Sequence, residues 1–337
     1  GGAPIAKPSP GISPAPAPSS RPETAEDRIG ADHESGAIDE PTALRYRVLA
    51  YFGDPGLPEP YASLPSASDH AVLADAARRL GSLPAADAAA IRPYLLRPTD
   101  PESVFHGDGA APVALAAGAD PIRVAQADGC DASGWRSRRL DGIPVVVWAP
   151  CSGETPDATV DTLAAILAEL WPAEVAYLGD PIPDDGGPAD GGDPSIDVYL
   201  VDPGRSIRWG TRSIGVDRAA MLAYAMGAEP WIEDGDTWRS SGFLVIDATR
   251  AGDGVEFAGT IAHELFHLLQ YAHNSAPMAD RGNAAHWFME ASAEWATHRF
   301  VPGATYPDGF FRDFQAKNDS LLSYWIVGDL AYSDRKS

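Results

Sequence analysis

Two histidines four residues apart, with a glutamate directly after the first, constrain this chain more than any other feature of its sequence. They lie in His263-Glu264-Leu265-Phe266-His267. In a helix, side chains four residues apart project from one face, so the two imidazoles can hold one zinc ion. The H-E-x-x-H pattern assigns to its glutamate the role of accepting a proton from a zinc-bound water. The sequence therefore predicts a helix that carries a metal site, with Glu264 as general base.

The residues around the motif predict a helix over 257 to 272. Apolar residues recur there at helical spacing and give the helix a core face: Ile261, Leu265, Leu268, Leu269 and Ala272. Asp253 and Glu256, three residues apart, are typical of a capping box at its amino end. His263 and His267 fall on a neighbouring stripe, which leaves them free to face a cleft.

A catalytic zinc usually takes three protein ligands, and two residues compete for the third place. His273 extends the motif to H-E-x-x-H-x-x-Q-x-x-H, which resembles the metzincin pattern except that Gln270 stands where that pattern has glycine. Without the glycine the helix continues, and His273 is carried about 9 Å along the axis from His267. Glu290 lies in a second helical pattern, in which it shares a face with Glu294. Glu290 is therefore the better candidate.

The stretches H-E-L-F-H and W-F-M-E-A-S-A-E-W resemble the gluzincin zinc metallopeptidases of the secreted bacterial type, over residues 240 to 300. In that family a glutamate on a downstream helix completes the zinc site, so the resemblance implies one Zn²⁺ per chain held by His263, His267 and Glu290. It implies a zincin-like fold and hydrolysis of a peptide or protein substrate. It also implies that Glu294, where thermolysin-like members have aspartate, accepts a hydrogen bond from the outer N–H of His263.

Two other functions use the same residues. A catalytically silent binding or adhesion module would keep zinc as a structural clamp, whereas a zinc hydrolase of another kind would cleave a non-protein amide such as a cell-wall peptide link. An open fourth coordination position favours an enzyme, and a fourth protein ligand favours the clamp. Tyr306 and Tyr324 are candidates for the phenol that would stabilise an oxyanion during hydrolysis.

The charge of the chain excludes several classes of partner. The 337 residues carry a net charge of −23, whereas nucleic acids and anionic membranes require a basic surface. No apolar run approaches the roughly 20 residues that a helix needs to span a bilayer. Together with the proline-rich start and the resemblance to secreted peptidases, this acidic composition predicts an extracellular protein.

Four segments are predicted along the chain. Residues 1 to 40 are rich in proline, alanine and serine and predict a disordered linker. Residues 41 to 98 predict a small helical segment, either a pro-segment over the cleft or an accessory module. Its helical patterns cover 43–52, 67–80 and 84–96. Residues 99 to 140 are loop-rich and form a connection to the last segment, 141 to 337.

That last segment, 141 to 337, is predicted to be the catalytic domain. Strand patterns at 143–148 and 196–201 flank a helical pattern at 160–171, which predicts a sheet backed by a helix. Residues 242 to 247 predict a strand that is either the sheet edge where an extended peptide pairs or an interior strand. The expected fold class is thus α+β: a mixed sheet with a backing helix, a zinc helix and a glutamate helix, preceded by the small helical segment.

Three further features leave alternatives open. Cys130 and Cys151 can form a disulfide or remain as buried thiols. The Asp-rich stretch from 179 to 193 is expected to be a solvated loop, with a Ca²⁺ site as the alternative. Residues 204 to 240 predict a loop-and-helix insert, whose arginines beside aromatic residues either bind a substrate carboxylate or form surface ion pairs.

Overall fold

The computed structural model describes residues 23–65, 71–106, 130, 134–151, 155, 157–185, 192–201, 207–209, 212–214, 223–235, 237–276 and 286–305. Its α-helices are α1 (Ala25–Glu34), α2 (Glu40–Tyr51), α3 (Glu59–Ala62), α4 (Ala71–Arg79), α5 (Ala85–Leu95), α6 (Asp157–Leu178), α7 (Val255–Asn274) and α8 (His286–Phe300). Its strands are β1 (Trp135–Arg139), β2 (Val145–Pro150), β3 (Ile196–Val201), β4 (Ile207–Trp209), β5 (Arg212–Ile214), β6 (Ala223–Asp234) and β7 (Thr237–Asp247). Two 3₁₀ turns cover Leu80–Ser82 and Ala248–Asp253.

Five of these strands form one mixed, open sheet in the order β1-β2-β3-β7-β6. The central strands β2, β3 and β7 are parallel, while β1 and β6 pair antiparallel with their neighbours. Every residue of β3 is buried, as expected for a parallel strand that is covered on both faces. The helix α6 connects β2 to β3, so the predicted strand, helix and strand are confirmed and the chain is α+β. The helix is longer than the predicted 160–171 and runs from Asp157 to Leu178.

The two faces of this sheet belong to two different hydrophobic cores. Side chains alternate along a strand, so Tyr199 and Val201 of β3 lie on one face and Val198 and Leu200 on the other. The first pair belongs to a core shared with α1 to α5, and the second pair packs with α6 and α7. The amino-terminal helices therefore cover the sheet face that is opposite to α7, and their buried side chains form one core with that face.

The predicted disordered linker over 1–40 is wrong from Thr24 onward, and its first 22 residues lie outside the described residues. Helix α1 begins at a capping box, in which the Asp27 N–H donates to Thr24 Oγ1 at 3.2 Å and the Thr24 N–H donates to the Asp27 carboxylate at 3.0 Å. Ala25 and Ile29 are buried in the first core. This small apolar face and the cap offset the conformational entropy that is lost when the helix forms. The polar, proline-rich composition of the segment predicted disorder because it gave no sign of either feature.

Four strands lie wholly where other structure was predicted: β1 in the connection, and β4, β5 and β6 in the insert. Strand β1 falls inside the predicted connection 99–140, and it escaped prediction because only Trp135 of its five residues is buried. Strand β6 falls inside the predicted loop-and-helix insert 204–240. Its first half is rich in alanine and glycine, residues with low strand propensity, and it forms because it pairs with β7 along most of its length.

The strand predicted at 242–247 forms the end of β7 and lies in the interior of the sheet, between β3 and β6. The edge interpretation of this strand is therefore wrong. Within the described ranges β6 is the edge strand on that side of the sheet.

One disulfide and one buried ion-pair network connect segments that are distant in the sequence. The disulfide between Cys130 and Cys151 is formed, which decides between the two alternatives. Arg97, which follows α5 and is 5% exposed, lies 2.9 Å from Asp197 of β3 and 2.5 Å from Asp184. Asp184 belongs to the Asp-rich stretch 179–193, the candidate Ca²⁺ site, and its carboxylate is paired with an arginine. Within the described part of that stretch, no group of acidic side chains is arranged to hold a metal ion.

Candidate metal centre

Helix α7 carries the histidine motif and packs its apolar face against the sheet. Ile261, Leu265 and Leu268 are buried in the second core, as their spacing predicts. The predicted capping box at its amino end is wrong. Gly254 is the N-cap residue, and its φ of 61° takes the chain into a conformation that favours glycine. Asp253 instead forms an ion pair with Arg250 at 2.5 Å.

Helix α8 lies across α7 and presents its carboxylates to the motif. Ala293 and Ala296 are fully buried between the helices, and such small side chains allow close approach. Thr297 Oγ1 donates to the carbonyl of Gly259 at 3.3 Å, which fixes the crossing. At the same end of the helix interface, Thr305, which follows α8, donates its N–H to Glu256 of α7 at 3.0 Å.

Three ligand atoms converge where α7 and α8 meet. His263 Nε2 lies 3.1 Å from His267 Nε2, and Glu290 Oε2 lies 3.4 Å from the first and 3.7 Å from the second. In a tetrahedral site with zinc–ligand bonds near 2.05 Å, ligand atoms are separated by about 3.3 Å. The three observed separations, 3.1, 3.4 and 3.7 Å, are close to this value, so the atoms are spaced as the ligands of one ion would be. In the described part of the chain, these residues form the group that could hold a metal ion.

Gln270 fixes which nitrogen of His267 faces that position. The Gln270 amide nitrogen donates to the carbonyl of Met289 at 3.1 Å and to Ser292 Oγ at 2.8 Å. Its Oε1 is therefore the acceptor for His267 Nδ1–H, at 2.7 Å. With the proton on Nδ1, the lone pair is on Nε2 and points at Glu290 and His263. The same amide also joins α7 to α8.

The electrostatics of the cluster favour a positive charge. Burial lowers the pKa of His263, but the carboxylates of Glu290, Glu264 and Glu294 outweigh burial and raise the pKa to about 9. Three acidic side chains therefore act on one imidazole. A cation placed between Glu290 and the two rings would experience the same attraction.

Glu264 lies on the side of α7 that meets the edge strand. It is 5% exposed, and its Oε2 accepts a hydrogen bond from the N–H of Ala225 in β6 at 2.9 Å. The hydroxyl of Tyr271 donates to the carbonyl of the same residue at 3.2 Å. Both polar groups of the Ala225 peptide thus bond to α7 rather than to β7. This pairing fixes the distance between the motif and the edge strand.

Glu294 faces His263 but does not hydrogen-bond to it. Its Oε1 lies 3.8 Å from His263 Nδ1, longer than a hydrogen bond. Burial raises the pKa of Glu294, and its Oε2 has no hydrogen-bond partner. The structure therefore brings Glu294 to the predicted side of the ring without the contact that the resemblance implies.

The other candidate residues lie apart from this cluster. Helix α7 continues through Gln270 as predicted, and it carries His273 away to contact the carbonyl of Leu178 at 2.5 Å. Tyr306, Tyr324 and Arg205 lie outside what the structure describes, as do the side chains of Arg208, Arg212 and His286.

Sequence reasoning missed two contributors to the site. Gln270 was considered only because glycine is absent there, although its position three residues after His267 is a signal that the two side chains can meet. Ala225 has no signal in the sequence, because its role depends on backbone groups of a strand that was not predicted.

Comparisons with known proteins found no relative of this chain. A scan against protein-family models, a search of curated proteins and a search of solved structures each found no match. No helix among the described residues has both the length and the apolar character needed to cross a membrane.

Proposed function

We propose that this chain is a zinc-dependent endopeptidase of the gluzincin type, with His263, His267 and Glu290 as the zinc ligands. The observation that carries the proposal is the separation of their ligand atoms by 3.1, 3.4 and 3.7 Å on two adjacent helices. Glu264, the glutamate of the H-E-x-x-H motif, lies next to the first of these histidines and contacts the edge strand β6. Five strands with α6 and α7 on one face are consistent with a zincin-like core.

The choice of zinc follows from the ligand chemistry. Two imidazole nitrogens and one carboxylate are the ligands of catalytic zinc sites, whereas Ca²⁺ and Mg²⁺ prefer sites built from oxygen. Among the described residues the candidate ligands are three, the number that a catalytic zinc takes beside a water. This ligand set supports the choice of a hydrolase rather than a structural clamp.

The chain's own residues divide the work of hydrolysis. Bound zinc supplies Lewis acidity toward a carbonyl oxygen and toward water. Glu264 takes the proton of the attacking water and returns it to the leaving amine. Its Oε2 is held by the Ala225 N–H at 2.9 Å, so the carboxylate is oriented and its other oxygen is the one that takes the proton. A substrate strand placed along β6 would bring its scissile bond to this carboxylate.

The proposal includes an extracellular location. The Cys130–Cys151 disulfide is of the kind that persists in oxidising compartments. The net charge of −23 fits a protein that works without a nucleic-acid or anionic-membrane partner.

Replacing Glu290 by alanine is expected to reduce the zinc content of the purified protein from about one ion per chain to a trace. Removing a ligand should cost more than the roughly 10- to 100-fold in affinity that is lost with a residue that only supports a ligand. Zinc is measured by elemental analysis after dialysis against a metal-free buffer. Glu169→Ala, on the exposed side of α6, is the matched control and should keep its zinc.

Equal zinc in the Glu290→Ala variant and the wild type would remove Glu290 from the site. The substrate class is tested on the zinc-loaded wild type, with casein and peptidoglycan as parallel substrates. Cleavage of casein supports the endopeptidase, whereas cleavage of peptidoglycan alone assigns the hydrolase to a cell-wall amide. A wild type that binds no zinc and cleaves neither substrate would contradict the proposal.

A further inference from the structure

Tyr271 of α7 is a buried tyrosine that belongs neither to the proposed ligand set nor to the proton transfer. It lies seven residues after Glu264 and four after His267, so the three side chains share one face of the helix. The residue is 0% exposed. A buried hydroxyl is costly unless it forms a hydrogen bond, so the partner of this hydroxyl indicates what the residue does.

The partner of the Tyr271 hydroxyl is the residue that also binds the proposed base. The hydroxyl donates to the carbonyl of Ala225 at 3.2 Å, and Glu264 accepts from the N–H of Ala225 at 2.9 Å. Within the described residues β6 is the edge strand, so no further strand on that side holds Ala225 in place. The position of Ala225 against α7 therefore depends on these two hydrogen bonds and on its packing in the second core.

The ring of Tyr271 also contacts the candidate metal centre. It lies 6.4 Å from the ring of His267, with 14° between the two planes, so the rings are stacked. His267 is itself held by Gln270, which accepts its Nδ1–H at 2.7 Å. Tyr271 therefore connects a proposed zinc ligand to the edge-strand residue that binds the proposed base.

We propose that Tyr271 is a positioning residue for hydrolysis: its hydroxyl holds the Ala225 carbonyl and thereby keeps the Ala225 N–H at the carboxylate of Glu264, which orients the base. The inference rests on the proposed function, since it concerns the base of the same site. Tyr271 is buried and its hydroxyl bonds to the backbone, so it acts through Glu264 and not on the substrate. A displacement of about 1 Å in a reacting group can cost about 100-fold in rate, so the hydrogen bond that fixes Ala225 affects catalysis.

The test is hydrolysis of casein by the zinc-loaded full chain, measured at low and at saturating substrate. Tyr271→Phe removes the hydroxyl and keeps the ring, and it is expected to lower kcat by about 10- to 100-fold with KM and zinc content within about twofold of the wild type. Tyr224→Phe is the matched control. It removes a buried hydroxyl without a hydrogen-bond partner from the residue next to Ala225, on the opposite face of β6. It should leave kcat, KM and zinc content unchanged.

A double-mutant cycle shows whether Tyr271 acts through Glu264. In the Glu264→Gln background, Tyr271→Phe should lower the residual kcat by less than about twofold, because the base is already missing. An equal loss in both backgrounds, or a wild-type kcat in Tyr271→Phe alone, would overturn the inference and leave the proposed function standing. If Tyr271→Phe does not fold, the same comparisons are made with Tyr271→Met, which also lacks a donor. A wild type that hydrolyses neither casein nor peptidoglycan overturns both.

Discussion

Replacing Glu264 by glutamine is expected to lower kcat/KM for peptide hydrolysis by about 100- to 10,000-fold, the contribution typical of a general base. Glutamine has the same length and can still accept the Ala225 N–H bond, so the side chain keeps its place against β6. It cannot take a proton from water. The three proposed ligands are unchanged, so the variant should still bind zinc. Hydrolysis of casein and zinc content are measured on the same preparation.

Glu256→Gln is the matched control for this variant. It makes the same substitution on the same helix, at a residue whose carboxylate bonds to Thr305 instead of facing the metal position. Its kcat/KM should stay close to that of the wild type. A Glu264→Gln variant with full zinc and wild-type activity would show that hydrolysis, if present, uses another base. Loss of activity together with loss of zinc would instead assign Glu264 to metal binding.

The metal cluster could be predicted from the sequence because its geometry is local. The separation of four residues places His263 and His267 on one helical face whatever surrounds the helix. Glu290 needed only a second helix that packs against the first. The supporting residues were harder to predict. Ala225 reaches Glu264 only because β6 pairs with β7 beside α7, and no spacing in the sequence contains that information.

The fold was predictable where a segment's own pattern decides its structure. The all-buried strand β3 and the helix α6 have strong apolar patterns, and both appear where they were expected. Strands β1 and β6 depend on their partners: one is polar and the other is rich in alanine and glycine. Helix α1 depends on a cap and two buried residues in a polar, proline-rich region. For β1 and β6 tertiary contacts override a weak local preference, and for α1 a local cap and two buried side chains do so together.

Replacing Arg97 by methionine is expected to lower the free energy of unfolding by about 3–5 kcal/mol, the cost typical of leaving buried carboxylates without their partner. Arg97 is 5% exposed and contacts Asp184 and Asp197, which are 0% and 2% exposed in their side chains. Methionine fills a similar volume, so the loss is electrostatic. Arg97 joins the amino-terminal helices to the sheet, and those helices share the core of one sheet face. Unfolding in urea should therefore remain one cooperative transition, with a lower midpoint.

The pH dependence separates this effect from a packing defect. Burial raises the pKa of Asp197 to about 6 even though Arg97, Trp148 and Tyr199 lower it. A carboxyl whose pKa is raised on folding contributes stability at low pH, which is lost as pH rises through the folded-state pKa. Without Arg97 the pKa rises further, so the destabilisation should be larger at about pH 8 than at about pH 5.

Arg92→Met is the control for the Arg97 variant, because Arg92 of α5 forms an exposed ion pair with Glu102. The two side chains are 44% and 66% exposed, so the loss should be about 0–1 kcal/mol. An Arg97→Met variant as stable as Arg92→Met would mean that the buried network contributes nothing to stability. Two separate urea transitions would mean that residues 25 to 106 fold independently of the sheet. Two transitions would thus support the interpretation of these helices as a removable pro-segment. A single transition at a lower urea concentration would instead show that they unfold together with the sheet and the candidate metal centre.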